Sequence, residues 1–306
     1  MCTAMKIGDL FGRTLDLEYT YGERVVSCPR DFPLALRHRP ALTHHHAILG
    51  MATIADGYPL YYDAVNECGL AMAALHFPHS GRYADEGEVA SFEVIPYVLG
   101  QCATVGEAKQ LLENVTVCDT AFSAALPPSP LHWMAADADA AIVVESTAEG
   151  VSVYDDPVGV MTNEPPFPDQ LRRWAEYAHL SAYEPAETPP HSGRGSGAVG
   201  LPGDFTSPSR FARAAFVAAH SEAAEDPVGQ FFEAMTAVTV PRGCLRLADG
   251  GRVVSQYTAC MDLGRKIYYF RRYGQQRLHA VALTEPEGTA LATYPLPTCD
   301  SVARQN

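Results

Sequence analysis

The sequence predicts an α+β protein built on antiparallel or mixed sheets, with helices on their outer faces. Three observations carry that expectation. Short β-prone apolar runs are numerous, helical segments are few, and the helices fall between groups of strands rather than after each strand. A doubly wound parallel sheet needs a crossover for nearly every strand, and the spacing here does not supply them.

The first element is a hairpin. Residues 2–7 and 10–15 read as strands joined by Gly8-Asp9, because glycine accepts the positive φ of a two-residue turn. In that register facing residues have numbers that sum to 17, so Cys2 lies opposite Leu15 and Ala4 opposite Arg13. Arg13 is then a same-face diagonal neighbour of Cys2, about 7–8 Å away between Cα atoms. A three-residue turn with a bulge would shift the pairing by one and remove that diagonal.

Further strands are expected at 46–54, 69–75, 139–146, 150–154, 158–162, 253–259, 266–271 and 278–284. Helical spacing marks 91–100 around Pro96, and Thr104-x-x-Glu107 is a capping box opening a helix to about Asn114. Two more helices are expected at 171–180 and 210–224, the second with Ser207 as N-cap and Pro208 at its first position. Residues 184–204 are rich in Pro and Gly and read as a long ordered loop. No internal repeat or linker interrupts the chain, so a single domain over 1–306 is expected.

With 306 residues, 47% of them hydrophobic, the chain can bury a large core. Its 22 basic and 36 acidic side chains give a formal charge of −14, which argues against nucleic acid or an anionic membrane as partner. No apolar run reaches 18 residues, and the start lacks the basic and apolar regions of a signal peptide. A soluble, cytoplasmic protein is expected. The eight cysteines are scattered without a Cys-x-x-Cys, which suits reduced thiols.

Chemistry concentrates at the amino end. Cys2 follows Met1, and removing Met1 would leave one residue holding both a thiol and a free α-amine. Those groups titrate near ~8.5 and ~7.7–8.0 when unperturbed, so nucleophile and base are already within reach of one another. The diagonal Arg13 would favour the thiolate. Asp16 falls opposite position 1, where its carboxylate could hold the amine. The plainer reading is a small residue at position 2 with a surface arginine and aspartate on an edge hairpin.

Other motifs weigh less. Gly195-Ser196-Gly197-Ala198-Val199-Gly200 spells a dinucleotide fingerprint, yet prolines 189, 190 and 202 leave no strand before it or helix after it. His44-His45-His46 on a strand would point to alternate faces and could not converge on a metal. There is no G-x-S-x-G elbow, whereas a thiol paired with a distant histidine stays open.

Seven stretches in order resemble the choloylglycine hydrolase family, the bile salt hydrolases and penicillin V acylases. They are Met1-Cys2-Thr3, Phe11-Gly12-Arg13-x-Leu15-Asp16-x-Glu18-Tyr19, Asn66-Glu67-x-Gly69-Leu70, Leu131-His132-Trp133-Met134, Gly159-Val160-x-Thr162-Asn163, the run from Gly200-Leu201-Pro202 to Ser209-Arg210-Phe211, and Gln256-Tyr257-Thr258. They span nearly the whole chain. The resemblance implies an N-terminal-nucleophile amidase with a four-layer αββα sandwich and two mainly antiparallel sheets. It implies Cys2 as nucleophile, its α-amine as base, Arg13 and Asp16 as activating groups, Asn163 as oxyanion donor and Arg210 as part of the polar network. Without it, Asn163 is a turn residue and Arg210 an exposed residue at the unfavourable end of a helix dipole.

The family's Gly-Leu-Asn-Phe segment is Ala74-Leu75-His76-Phe77 here. Histidine at 76 either keeps a backbone role at the oxyanion or changes selectivity through its side chain. Leu15, Leu17, Ala55, Phe122 and Leu126 are implied as apolar lining, and Ser196 sits in the loop that sets glycine or taurine preference. The resemblance implies no cofactor or metal, a small amide as substrate, and a homo-oligomer of the tetrameric kind. Bile salts, penicillin V, and a silent ligand-binding role remain the three functional readings.

Overall fold

Gly8 sits at φ +55°, and the Gly8-Asp9 turn closes a hairpin between β1 (Cys2–Ile7) and β2 (Leu10–Leu17). The pairing is the expected one: Cys2 faces Leu15, Ala4 faces Arg13 and Ile7 faces Leu10. The computed structural model describes residues 1–186, 193–222, 225–284 and 287–297.

Chain order continues through β3 (Arg24–Cys28), β4 (Ile48–Ala55), β5 (Tyr58–Asn66), β6 (Ala71–His76) and β7 (Val89–Ala90). Helices α1 (Val94–Gln101) and α2 (Val105–Leu112) come next, then β8 (Val117–Cys118), β9 (Leu131–Ala136), β10 (Ala141–Thr147), β11 (Gly150–Asp155) and β12 (Val160–Met161). Helices α3 (Phe167–Ala175), α4 (Ser207–His220) and α5 (Pro227–Thr236) precede β13 (Val254–Asp262), β14 (Ile267–Arg272), β15 (His279–Ala282) and β16 (Ala292–Pro295).

The strands form a six-stranded sheet, β12-β1-β2-β13-β14-β15, and an eight-stranded sheet, β11-β10-β9-β6-β5-β4-β3-β16. Every pairing within both is antiparallel. Period-two alternation explains the layering. Ala71, Ala73 and Leu75 of β6 join the core that holds Cys2, Leu15 and Tyr257 of the first sheet. The intervening Met72 and Ala74 join Trp133 and Ala135 in a second core under α1 and α2. On the far side α4 packs on β1 and β12, and α5 on β13 and β2. The result is the four-layer αββα sandwich, in which the central sheets face each other and helices cover both outer faces.

Several boundaries differ from the sequence reading. Helix α3 begins at Phe167 and ends at Ala175, because Pro166 sets the extended residue before it and turns follow through Leu180. Helix α4 starts at Ser207, its N-cap position being Thr206, so Pro208 is its second residue and Arg210 lies within the first turn. Its last expected residues, 223 and 224, fall outside the described residues, as do 187–192 of the long loop and Cys299. The capping box at Thr104 is half made. Thr104 Oγ1 accepts from Glu107 N–H, whereas the Glu107 carboxylate reaches Ala103 N–H, one residue early. Strands β3, β5 and β16 and helix α5 had no clear sequence signal. In β5 the buried Asp63 interrupts the apolar alternation that marks a strand.

Gly12 is the tightest point between β2 and β13. A Cβ there would lie 2.0 Å from Ala259 O and 2.9 Å from Cys260 Cα, both backbone atoms. Gly12→Ala is expected to cost about 3 kcal/mol by forcing the two strands apart. A urea unfolding midpoint unchanged from the parent would contradict this.

Candidate active site

Cys2 opens β1, so its nitrogen lies at a strand end and its side chain points between the sheets, 2% exposed. Met1 precedes it in the structure. The Cys2 nitrogen is therefore an amide, and it stands where the α-amine would sit once Met1 is removed. That N–H donates to Asn163 Oδ1 at 2.9 Å. Arg210, fully buried on α4, donates through Nη2 to the same Oδ1 at 2.7 Å and through Nη1 to Thr3 Oγ1 at 2.6 Å and to the Cys2 carbonyl. Its Nε donates to Phe205 O. The plain reading of Arg210 as an exposed helix residue is thus excluded.

With Oδ1 taken by two donors, the Asn163 amide group faces the other way. Its Nδ2 donates one proton to His76 O at 2.7 Å, leaving the second N–H without a partner among the described residues. The backbone N–H of Asn163 donates to Ser207 Oγ at 2.8 Å. Ser207 had been expected as an N-cap; its hydroxyl instead turns to Asn163 and Thr162. Behind this loop, His132 Nε2 donates to Thr162 O at 2.8 Å, and His132 Nδ1 lies 3.3 Å from Glu145 Oε1. The Phe77 ring stacks on His132 at 4.3 Å. Gln170 Nε2 adds bonds to Thr162 Oγ1 and Glu164 O. These supporting residues were missed as functional; His132 was visible only as part of a motif.

Arg13 occupies the diagonal position beside Cys2 on the inner face, 0% exposed. Its Nε donates to Thr14 O, and Nη1 to Ala74 O (2.9 Å) and Tyr62 O (3.2 Å). Burial opposes its charge, yet Cys2, Tyr257, Asp63 and Asp16 together hold the guanidinium above its ordinary value. Arg210 lies on the opposite, helix-covered face. There burial dominates and pulls it below the ordinary value, against the fields of Asp16 and Cys2.

Asp16 departs from expectation. Its backbone carbonyl accepts from the Met1 ammonium at 2.8 Å, but its carboxylate accepts from Thr14 Oγ1 (3.1 Å) and Ser255 Oγ (2.6 Å). Side chains alternate along β2, so the Asp16 carboxylate lies on the Thr3 face, with Arg210 rather than Arg13.

The expected lining residues divide between two places. Leu15 and Leu17 pack with the Cys2 core. Ala55 pairs with Tyr58, whose ring is 6.0 Å from Phe122 in the second core. Leu126 closes a turn onto Ser123. Ser196 donates its hydroxyl to Glu184 at 2.6 Å, and among the described residues no bond joins it to the Cys2 cluster. A cavity of about 160 Å³ on the helix face, lined by Val240, Ser255, Thr258, Arg271 and Tyr273, borders none of them. The three histidines 44–46 face separate partners: Asp31, the Phe32 carbonyl, and Glu67 with Cys68. No helix among the described residues is long and apolar enough to cross a membrane.

A family model for linear amide C–N hydrolases of the choloylglycine hydrolase family matches residues 2–289. A bile salt hydrolase/transferase of Lactiplantibacillus plantarum is 39% identical over 97% of both chains. A conjugated bile acid hydrolase of Lactobacillus acidophilus is 33% identical over 96% of this chain and 100% of its own. The crystal structure of a conjugated bile acid hydrolase mutant from Clostridium perfringens superposes with a TM-score of 0.93 at 32% identity, covering 100% of both chains. A penicillin V acylase from Agrobacterium tumefaciens shares the fold, with a TM-score of 0.76 at 24% identity over 96% of this chain and 91% of its own.

His76 gives this site a pH signature. Burial first, then the chain-terminal ammonium and His132, hold its imidazole below the ordinary histidine value. The unfolded chain then binds the extra proton first as pH falls below ~6.5, so this contribution to stability is present at neutral pH and lost on acidification. His76→Asn is expected to flatten the fall of the urea midpoint between pH 7 and pH 5. An equally steep fall in the variant would contradict this.

Proposed function

The chain belongs to the choloylglycine hydrolase family of linear amide C–N hydrolases, and on that premise we propose that it cleaves the amide of conjugated bile salts through Cys2. The observation that carries the proposal is the bond from the Cys2 nitrogen to an Asn163 carboxamide that Arg210 orients.

Removal of Met1 turns that nitrogen into an amine, three bonds from the sulfur of the same residue. The amine takes the Sγ proton as sulfur attacks the substrate carbonyl. Negative charge then builds on the carbonyl oxygen, and the spare N–H of Asn163 Nδ2 is the donor for it. Because Oδ1 is held by Arg210, the carboxamide pays little reorganisation as charge appears. The ammonium returns its proton to the departing amide nitrogen, which leaves as glycine or taurine. Water, deprotonated by the same amine, hydrolyses the thioester and releases the free bile acid.

The substrate class rests on the relatives named for bile salt hydrolysis at 33–39% identity. It also suits the apolar side chains Leu15 and Leu17, which pack with the Cys2 core, as contacts for a rigid apolar acyl group. Arg13 and Asp16 serve as positioning groups on either face of β2. His76 contributes its carbonyl to hold Asn163, and its imidazole, partly covered at the end of β6, is placed to select among substrates.

Cys2→Ser is expected to abolish release of glycine from glycocholate and taurine from taurocholate while leaving the unfolding midpoint unchanged. Turnover faster on penicillin V than on either conjugate would replace the substrate assignment. Retained activity in protein whose Met1 is shown by intact mass to be present would refute the amine mechanism. Asn163→Ala is expected to lower kcat by about 10²–10³, the usual loss of one oxyanion donor. A kcat within threefold of the parent enzyme would remove Asn163 from that role.

A further inference from the structure

Asp63 is a fully buried carboxylate on β5 of the eight-stranded sheet, directed at the strands of the other sheet. Two phenols from that other sheet close on it. Tyr257 on β13 donates to Oδ2 at 2.5 Å, and Tyr268 on β14 donates to Oδ1. Both tyrosines are buried, at 1% and 0% exposure. Burial raises the Asp63 carboxyl above its ordinary value, while Arg13 and then the two phenol donors, one on each oxygen, favour its ionised form.

The nearest cation is Arg13, yet Asp63 Oδ2 stands 3.9 Å from its Nη1, outside hydrogen-bond range. A buried carboxylate and guanidinium this close ordinarily form a paired, bidentate contact. Here they do not, because the phenols occupy the carboxylate and three carbonyls occupy the inner edge of Arg13. Arg13 Nη2 is buried with no hydrogen-bond partner among the described residues. An unsatisfied buried N–H is expensive, which points to a ligand for it outside the protein's own hydrogen bonds.

We propose that Asp63, clasped by Tyr257 and Tyr268, is a positioning residue that limits neutralisation of Arg13 and so leaves its Nη2 edge to the Cys2 side of the site. The phenols act as a brake: they hold the carboxylate back from the guanidinium while keeping both in one buried cluster. The groups facing this cluster are Cys2 on β1 and Tyr62 beside Asp63 on β5, while Asp16 on β2 and Arg210 on α4 act on it from the far, helix-covered face of the six-stranded sheet. This inference rests on Cys2 being the nucleophile.

The arrangement makes two substitutions act with opposite sign. Asp63→Asn removes a negative charge near sulfur and leaves Arg13 wholly available, so the thiolate should form at lower pH. Tyr257→Phe or Tyr268→Phe frees a carboxylate oxygen to neutralise Arg13, so the thiolate should form at higher pH. The test is the pH dependence of iodoacetamide alkylation at Cys2, followed by peptide mass in protein lacking Met1. The expected midpoint moves down by about 1 unit in Asp63→Asn and up by about 1 unit in each Tyr→Phe variant. In parallel, kcat on glycocholate should fall in the Tyr→Phe variants with KM within twofold, the signature of an effect on the reacting thiol rather than on substrate binding. Midpoints that move together, or do not move, would overturn the proposal, and the conservative Tyr→Phe changes decide it alone if Asp63→Asn does not fold. Normal turnover by Cys2→Ser would instead sink the nucleophile assignment itself, so the two failures are distinguishable.

Discussion

The structure depends first on the burial of Arg210. Taking a guanidinium out of water costs several kcal/mol unless its donors are satisfied. Here they are met by the Cys2 carbonyl, Thr3 Oγ1, Asn163 Oδ1 and Phe205 O. Those four acceptors come from β1, the loop after β12 and the approach to α4. One side chain therefore fixes the strand that carries the thiol against the loop that carries the carboxamide. The loop before α4 is fixed in turn: the Asp204 carboxylate, pulled down to about 2 by bonds from Ser209 and Thr206, pins it.

The two arginines divide the labour by face. Alternation along β2 sends Arg13 inward toward the second sheet and Asp16 outward toward the helices. Cys2 lies at the edge where both fields meet. Arg210 acts through hydrogen bonds on the main chain around Cys2, whereas Arg13 keeps a free edge and acts through its charge. The antiparallel sandwich makes this possible, because it brings Asp63 of one sheet under Tyr257 and Tyr268 of the other.

A second tier holds Asn163. His132, Glu145, Gln170 and Ser207 each bond to the segment from Thr162 to Glu164 or to one another's partners. The oxyanion role proposed for this carboxamide gains from such rigidity, because no group then has to reorient as charge develops. The imidazole of His76 lies outside this scaffold even though its carbonyl belongs to it. That separation explains how asparagine can give way to histidine at this position without disturbing Asn163.

Local chemistry made the amino-terminal hairpin legible. Gly8-Asp9 specified the turn, the turn specified the register, and the register placed Arg13 diagonal to Cys2. The α+β class was legible too, because sparse helices set among many strands leave few other arrangements. Family motifs marked Asn163 and Arg210, but nothing local to either residue did, and both would pass as turn and surface residues. Asp63, Tyr257 and Tyr268 are separated by about 200 positions in sequence, and a buried carboxylate carries no periodic signature of its own. The direction of the Asp16 carboxylate and the split of the lining residues between two cores were equally out of reach. Sequence by itself thus determined the amino-terminal hairpin, its turn and the neighbours of Cys2 across it, whose geometry is set by bonds a few residues long. Only the tertiary structure decided which distant polar groups share one buried volume, since that follows from how two sheets pack and from the cost of leaving any charge there without a partner.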